Sequence, residues 1–341
     1  RGDPFHFLLR RITEFDWYNC PTPSACNPES GCLQRQGTAR HMREIDFHLY
    51  DVFTDQRLAG NQLGVVPDAS GLRDKQMQSI ARELNLSETI FFLPPENAGH
   101  SAKVRIFMPN GELPFAGHPT IGGVIAFAGW NGLPANSRIV LEEGVGPIAC
   151  QVTADAFGGE SSFAAARLPE PILFGSPEKA VAKALGLSQS DIGFGAHKVF
   201  ASSGGVPFIT IPVRSLDALA SARIDPQAWL ALDVKREGKL AAAYLYAQTG
   251  ERAFQARMFA PWDGIPEDPA TGSAAVAFAA TLHRFESIAD GVHAFSIRQG
   301  VEMGRPSDIN LEVSISNNAI SSVTIAGKAV KTASGMLYLN D

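Results

Sequence analysis

From residue 45 onward, apolar and polar residues alternate in short runs. Ile45 to Phe53 reads as a first strand. Thr89 to Leu93, stopped by Pro94-Pro95, reads as another, and Lys103 to Met108 alternates Val104 and Ile106 with Lys103 and Arg105. Between them, Met77, Ile80, Ala81 and Leu84 fall on one helical stripe, which predicts a surface helix with Asp74 as its N-cap. Two segments break this pattern. Pro119 to Trp130 carries Ile121, Val124, Ile125 and Phe127 with Gly at 122, 123 and 129, and Ser273 to Leu282 is almost wholly Ala, Val and Phe. A helix without a polar face must be enclosed when the chain is soluble. Each is therefore expected at the centre of a strongly curved, mostly antiparallel sheet, in an α+β fold.

The pattern occurs twice. Arg105-Ile106-Phe107-Met108-Pro109 returns as Arg257-Met258-Phe259-Ala260-Pro261. Both copies pass a Gly and a Pro and reach a helix start, Ala116-Gly117-His118-Pro119-Thr120 and Thr271-Gly272-Ser273-Ala274-Ala275. The second carries a short insertion around Glu267-Asp268-Pro269. Val52-Phe53 leads to Val65-Val66-Pro67 as Val199-Phe200 leads to Thr210-Ile211-Pro212, and Glu143-Gly144-Val145 is echoed by Gln299-Gly300-Val301. Four matches in one order describe two copies of one domain, not a solenoid of short repeats.

Length agrees, since 341 residues exceed the roughly 100–200 of one typical domain. The expected organisation is a first barrel-and-helix domain over 42–160, joined by a late strand within 329–341, and a second over 161–328. Three of the four cysteines, Cys20, Cys26 and Cys32, lie upstream of Met42. Residues 1–41 show no period and read as a scar, a translated leader or a loosely attached extension. A redox or metal-binding tail is the competing reading, although cysteines six residues apart without His make a poor zinc site. A formal net charge of −6 argues against a nucleic-acid partner, which needs clustered Lys and Arg. No apolar run reaches the length of a membrane span, and a cytoplasmic location is expected.

The chemistry concentrates at the helix starts. Their free N–H groups form a ready anion site, although Gly117 and Gly272 also suit tight turns, and His118 and Ser273 also suit caps. Glu88 stands at the mouth of an apolar strand, where desolvation raises a carboxyl pKa and suits acid/base work. It also reads as a solvated residue beyond a helix end. Asp268 is a second candidate and, before Pro269, also a turn initiator. Neither acid has a counterpart in the other copy, as expected if each half gives one group to a shared cleft. Metal and nucleotide sites are not expected: the histidines lack zinc spacing, and Ser202 to Gly205 lacks the Lys-Ser/Thr of a phosphate loop. Ser203 to Pro207 reads as a hairpin turn, and Cys150 and Trp262 as core.

Here the chain resembles the phenazine-biosynthesis PhzF family. The resemblance rests on Asp51-Val-Phe-Thr with Gly60-Asn61, on Gln76 through Thr89, and on Leu113-Pro-Phe-Ala-Gly-His-Pro-Thr120. Glu267-Asp-Pro-Ala-Thr-Gly-Ser-Ala274 and Gln299-Gly-x-x-Met-Gly-Arg-Pro-Ser307 complete it. It implies the diaminopimelate-epimerase-like fold of two pseudo-symmetric domains, a homodimer, and a biosynthetic isomerase that needs no cofactor. By motif it implies Glu88 as general acid/base, with His118, Asp268 and Ser273 in the site and Gly117, Thr271 and Gly272 binding substrate. Amino-acid racemases of this fold use two cysteines where this chain has Ala116 and Thr271, which disfavours thiol chemistry. The expected reaction moves a proton and a double bond on a small anionic, amino-acid-derived or cyclic substrate. The alternatives are an epimerase with carboxylate bases and an inactive binding protein.

Overall fold

The computed structural model describes residues 42–340. Segment 1–41, with Cys20, Cys26 and Cys32, lies outside the described residues, and so do the readings made of it.

The first half runs β1 (Met42–Val52), β2 (Asn61–Val66), α1 (Asp74–Leu84), β3 (Glu88–Leu93), β4 (Ala102–Met108) and β5 (Gly111–Leu113). It continues with α2 (Gly117–Trp130), β6 (Ser137–Glu143), β7 (Gly146–Ala154) and β8 (Gly158–Ala164). The second half runs β9 (Phe200–Ser203), β10 (Pro207–Pro212), β11 (Ala242–Gly250), β12 (Ala253–Ala260) and β13 (Ile265–Asp268). It closes with α3 (Gly272–Phe285), β14 (Gly291–Gln299), β15 (Ser307–Ser316) and β16 (Ala319–Asn340).

The ladders repeat the sequence duplication strand for strand. β1–β2 is antiparallel, β2–β3 parallel, β3–β4 antiparallel, β4–β6 parallel, and β6–β7–β8 antiparallel. β9–β10, β10–β11, β11–β12, β12–β14 and β14–β15–β16 follow the same order of directions. β16 is shared. Its early part pairs with β15, Thr324 to Val330 pairs with β8, and it also reaches β1. The fold is thus the mixed α+β, barrel-like arrangement expected from the enclosed helices.

α2 and α3 are buried almost throughout and share one continuous core with the inner sheet faces. The glycines of α2 permit this enclosure: a Cβ on Gly122 would lie 2.6 Å from Val52 Cγ2, and one on Gly123 2.8 Å from Ile90 Cδ1. Two outer clusters cover the opposite faces. α1 seals one with Met77, Ile80 and Ala81, and Trp229 anchors the other against β10 and β11. Asp74 is not the cap of α1. The N-cap is Arg73, whose N–H donates to Gln76 Oε1 at 3.0 Å, and Asp74 inside the first turn pairs with Arg105 at 2.6 Å. A strand cation across the groove draws the carboxylate away from the helix end. Ser203 and Pro207 face each other across the β9–β10 hairpin, Cys150 is buried in β7, and Trp262 stacks on Trp229. Among the described residues, no helix is long and apolar enough to cross a membrane.

Candidate active site

The two enclosed helices meet end to end. A Cβ built on Gly117 would stand 3.1 Å from Gly272 Cα, and one on Gly272 would stand 3.3 Å from Gly117 Cα. The N-caps are Ala116 and Thr271, and neither side chain caps its helix. Both first turns therefore keep N–H groups free of capping side chains, with the positive ends of two helix dipoles side by side. His118 follows Gly117 and is buried. Ser273 follows Gly272, is part-exposed, and has no described hydrogen bond to the other expected residues.

Glu88 opens β3, where it pairs in register with Leu63 of β2. Its side chain is only 12% exposed, and Oε2 stands 3.5 Å from His118 Nε2. Neither of these atoms has a hydrogen-bond partner. Asp268 ends β13 on the other half and is buried. Its Oδ1 accepts from Asn61 Nδ2 at 2.9 Å, and its Oδ2 accepts from Thr271 Oγ1 at 2.5 Å.

Asn61 joins the halves. Nδ2 also donates to the Ala270 carbonyl at 2.9 Å, while Oδ1 accepts from Ser87 Oγ at 3.0 Å. Both Nδ2 hydrogens are thus engaged, and His118 Nδ1 at 3.4 Å receives neither. The Gln62 backbone also acts on the imidazole, and Nε2 faces Glu88 Oε2. Gln299, fully buried, completes the second helix start: Nε2 donates to the Asp268 carbonyl at 2.8 Å and to Thr271 Oγ1 at 3.0 Å. Arg305 fixes the loop that delivers Asn61, donating to Gly60 O at 2.7 Å and to the buried Asp51 at 2.5 Å.

Burial governs the charges. It pushes the Glu88 carboxyl up, against a smaller opposing effect of the neighbouring Ser87. It pushes Asp268 up too, reinforced by the charge of Glu88 and opposed by His118, Thr271 and Asn61. It holds His118 down to about 4, despite Asp268, so the imidazole is neutral. Two carboxyls that raise each other lose their protons in two steps, and between the steps the pair holds one proton. Asp268 has donors on both oxygens, whereas Glu88 Oε2 has none.

The structure brings Glu88, His118, Asp268, Thr271, Gly117 and Gly272 to one place. Sequence reasoning missed the roles of Asn61, Gln299 and Arg305. All three lie inside the motifs that carry the resemblance, but spacing alone does not say where an amide or guanidinium points.

The chain is similar to known proteins over most of its length. The family model described as "Phenazine biosynthesis-like protein" matches residues 50–335. An uncharacterized isomerase of Mesorhizobium japonicum is 46% identical over 87% of this chain and 100% of its own length. A trans-2,3-dihydro-3-hydroxyanthranilate isomerase of Pseudomonas fluorescens is 35% identical, covering 86% of this chain and 99% of that one. The crystal structure of a PhzF-family protein from Bacillus anthracis superposes with a TM-score of 0.78 at 23% identity, covering 87% of this chain and 100% of that one.

Proposed function

The chain belongs to the phenazine biosynthesis-like PhzF family and is an isomerase, and from that premise we propose a general acid/base mechanism centred on Glu88. One observation carries the reading: two acids from opposite halves, Glu88 at 3.5 Å from His118 and Asp268 hydrogen-bonded to Asn61, stand beside two abutting helix starts. The substrate is a small anion, cyclic or derived from an amino acid. Its carboxylate lies at the open N–H groups of α2 and α3, where the dipoles favour negative charge. In its ionised form, Glu88 takes a proton from one carbon and returns one to another, which shifts a double bond without net loss of a proton. His118 accepts a hydrogen bond from a substrate hydroxyl or ammonium through Nε2. General acid/base catalysis of this kind contributes roughly 10²–10⁴-fold. The same reading extends to a cytoplasmic homodimer.

Trans-2,3-dihydro-3-hydroxyanthranilate, the substrate in the name of the Pseudomonas fluorescens relative, is the first compound to test. Turnover in deuterium oxide, followed by NMR, should place label at the carbon that gains a proton and move the double bond. Label washed into a single stereocentre with loss of chirality would mean epimerisation instead. Glu88→Gln should bind the compound, seen as a thermal shift, and lose turnover by about 10²-fold or more. Undiminished turnover by that variant refutes the assignment.

A further inference from the structure

Behind the start of α2 lies a buried acid that the mechanism does not use. Glu143 ends β6 at the floor of a cleft of about 630 Å³. Its residue is 8% exposed, and its Oε2 has no hydrogen-bond partner. Its Oε1 is 2.7 Å from Thr120 Oγ1, and the same hydroxyl is 2.7 Å from the carbonyl of Ala116, the N-cap of α2. A hydroxyl has one hydrogen. A carbonyl and an ionised carboxylate both only accept, so one of these two short contacts would be left without a hydrogen. A neutral Glu143 resolves the conflict: its O–H donates to Thr120 Oγ1, and Thr120 donates to Ala116 O.

The repeat supplies a second, independent observation. Glu143-Gly144-Val145 corresponds to Gln299-Gly300-Val301, and Gln299 ends β14 as Glu143 ends β6. Gln299 donates through its amide to the hydroxyl of Thr271, the N-cap of α3. One half therefore holds its helix start with a side-chain N–H, and the other has an acid at the same place. An acid performs that task only while it keeps its proton. The corner after Glu143 also bears on the same segment, because Val145 N–H donates to Pro114 O at 3.2 Å and a Cβ on Gly144 would lie 2.8 Å from Pro114 Cα.

We propose that Glu143 is a positioning residue, held as a neutral carboxylic acid, whose proton completes a chain through Thr120 to Ala116. That chain fixes the first turn of α2, and with it Gly117 and His118. When the proton leaves, the carboxylate takes Thr120's hydrogen, and the Ala116 carbonyl keeps only the helical bond from Thr120 N–H at 3.2 Å. Burial pushes this carboxyl up to about 8, against the hydrogen bond from Thr120, so the release falls on the alkaline side. The charged groups around the cleft already have partners. Lys103 on β4 pairs with Glu96, Arg105 with Glu112 and Asp74, and His100 with Glu142. Cys150 on β7 is a buried thiol that burial and Glu143 push upward, so it stays neutral.

The role of the first turn rests on the site proposed above, but the test does not require turnover. Isotope-labelled full-length protein is titrated by NMR, reading the Glu143 carboxyl carbon and the Gly117 amide, whose nitrogen reports on the Ala116 carbonyl beside it. The expected result is a neutral Glu143 at pH 6 and a common midpoint near 8 for both signals. Glu143→Gln, which copies the second half, should keep the pH 6 position of the Gly117 signal and abolish its alkaline step. Thr120→Val should displace the signal at every pH and also remove the step. An ionised Glu143 at pH 6 overturns the proposal, and so does an alkaline step that persists in either variant. If Glu143→Gln does not fold, the wild-type titration and Thr120→Val decide by the same criteria.

Discussion

Replacing Gly117 by Ala puts a better helix former at the start of α2. On propensity alone the change should stabilise the protein by about 0.5–1 kcal/mol. The structure predicts the opposite sign. The new Cβ would meet Gly272 Cα at 3.1 Å, Gly272 C at 3.5 Å and Ser273 N at 3.6 Å. Non-bonded carbons rest at about 3.5–4.0 Å, so the two helix starts must part by a few tenths of an ångström. The neighbours are backbone atoms of a second enclosed helix, with no flexible side-chain end to give way. Overpacking of this kind costs about 1–3 kcal/mol, which leaves a net loss of about 0–2.5 kcal/mol, centred a little above 1. At about 2–4 °C per kcal/mol, Tm should drop by several degrees. Parting the starts also displaces His118 from Asp268, and turnover should fall several-fold, since misplacement by about 1 Å costs roughly 10²-fold. Denaturant unfolding at constant m-value reads the stability change. Gly111→Ala is the control, because a Cβ there meets nothing within 4 Å. A Gly117→Ala protein as stable as wild type would show that the helix starts do not touch, and the shared anion site would lose its geometric basis.

Asn61→Ala should be destabilising by about 2–4 kcal/mol, because it strips donors from Asp268 Oδ1 and the Ala270 carbonyl in a buried place. It also removes a bond that lowers the Asp268 pKa, so the limb of the turnover profile that Asp268 sets should move to higher pH. A limb that stays in place would exclude Asp268 from the proton balance. Stability should fall as pH rises from about 6.5 to 8.5. The buried acids are raised in the fold, so their contribution is complete below the unfolded value and disappears as pH passes the folded one. Glu143 alone, raised from 4.5 to about 8, should remove about 2 kcal/mol above pH 6.5. His118, lowered to about 4, acts in the opposite sense only below 6.5. Urea midpoints of wild type and Glu143→Gln across this range check the sign and the size.

The periodicity of the chain was enough to expose the enclosed helices, because an apolar face all round admits one environment. The duplication was legible for a related reason. Arg105 grips Glu112 with two hydrogen bonds, and Arg257 grips Glu267 in the same way, so the motif that repeats in sequence is a repeated ion pair on matching strands. Glu88 and Asp268 stood out as acids without counterparts. Asn61 did not, since an Asn after Gly reads as a turn, and only Arg305, arriving from the other half, decides where it points. Glu143 was legible as an echo of Gln299. Its protonation was not, because that follows from one hydroxyl lying between two acceptors.

The asymmetry of the halves has a physical reason. Met258 pairs with Asp268 where Ile106 pairs with Leu113, and β11 opens on Ala242 where β3 opens on Glu88. A symmetric site would gather four carboxyls around two helix starts. Already the Glu88 charge raises Asp268, and two more acids in the same dry volume would hold nearly all of them protonated at neutral pH. Such a site would have no base. One acid from each half gives a pair that holds a single proton between its two ionisations. That is the charge state a double-bond shift needs, because one group must be able to accept a proton while another keeps one in reserve. On the proposed reading, the repeated helix starts hold the anion, and the difference between Leu113 and Asp268 and between Ala242 and Glu88 leaves one acid in each half.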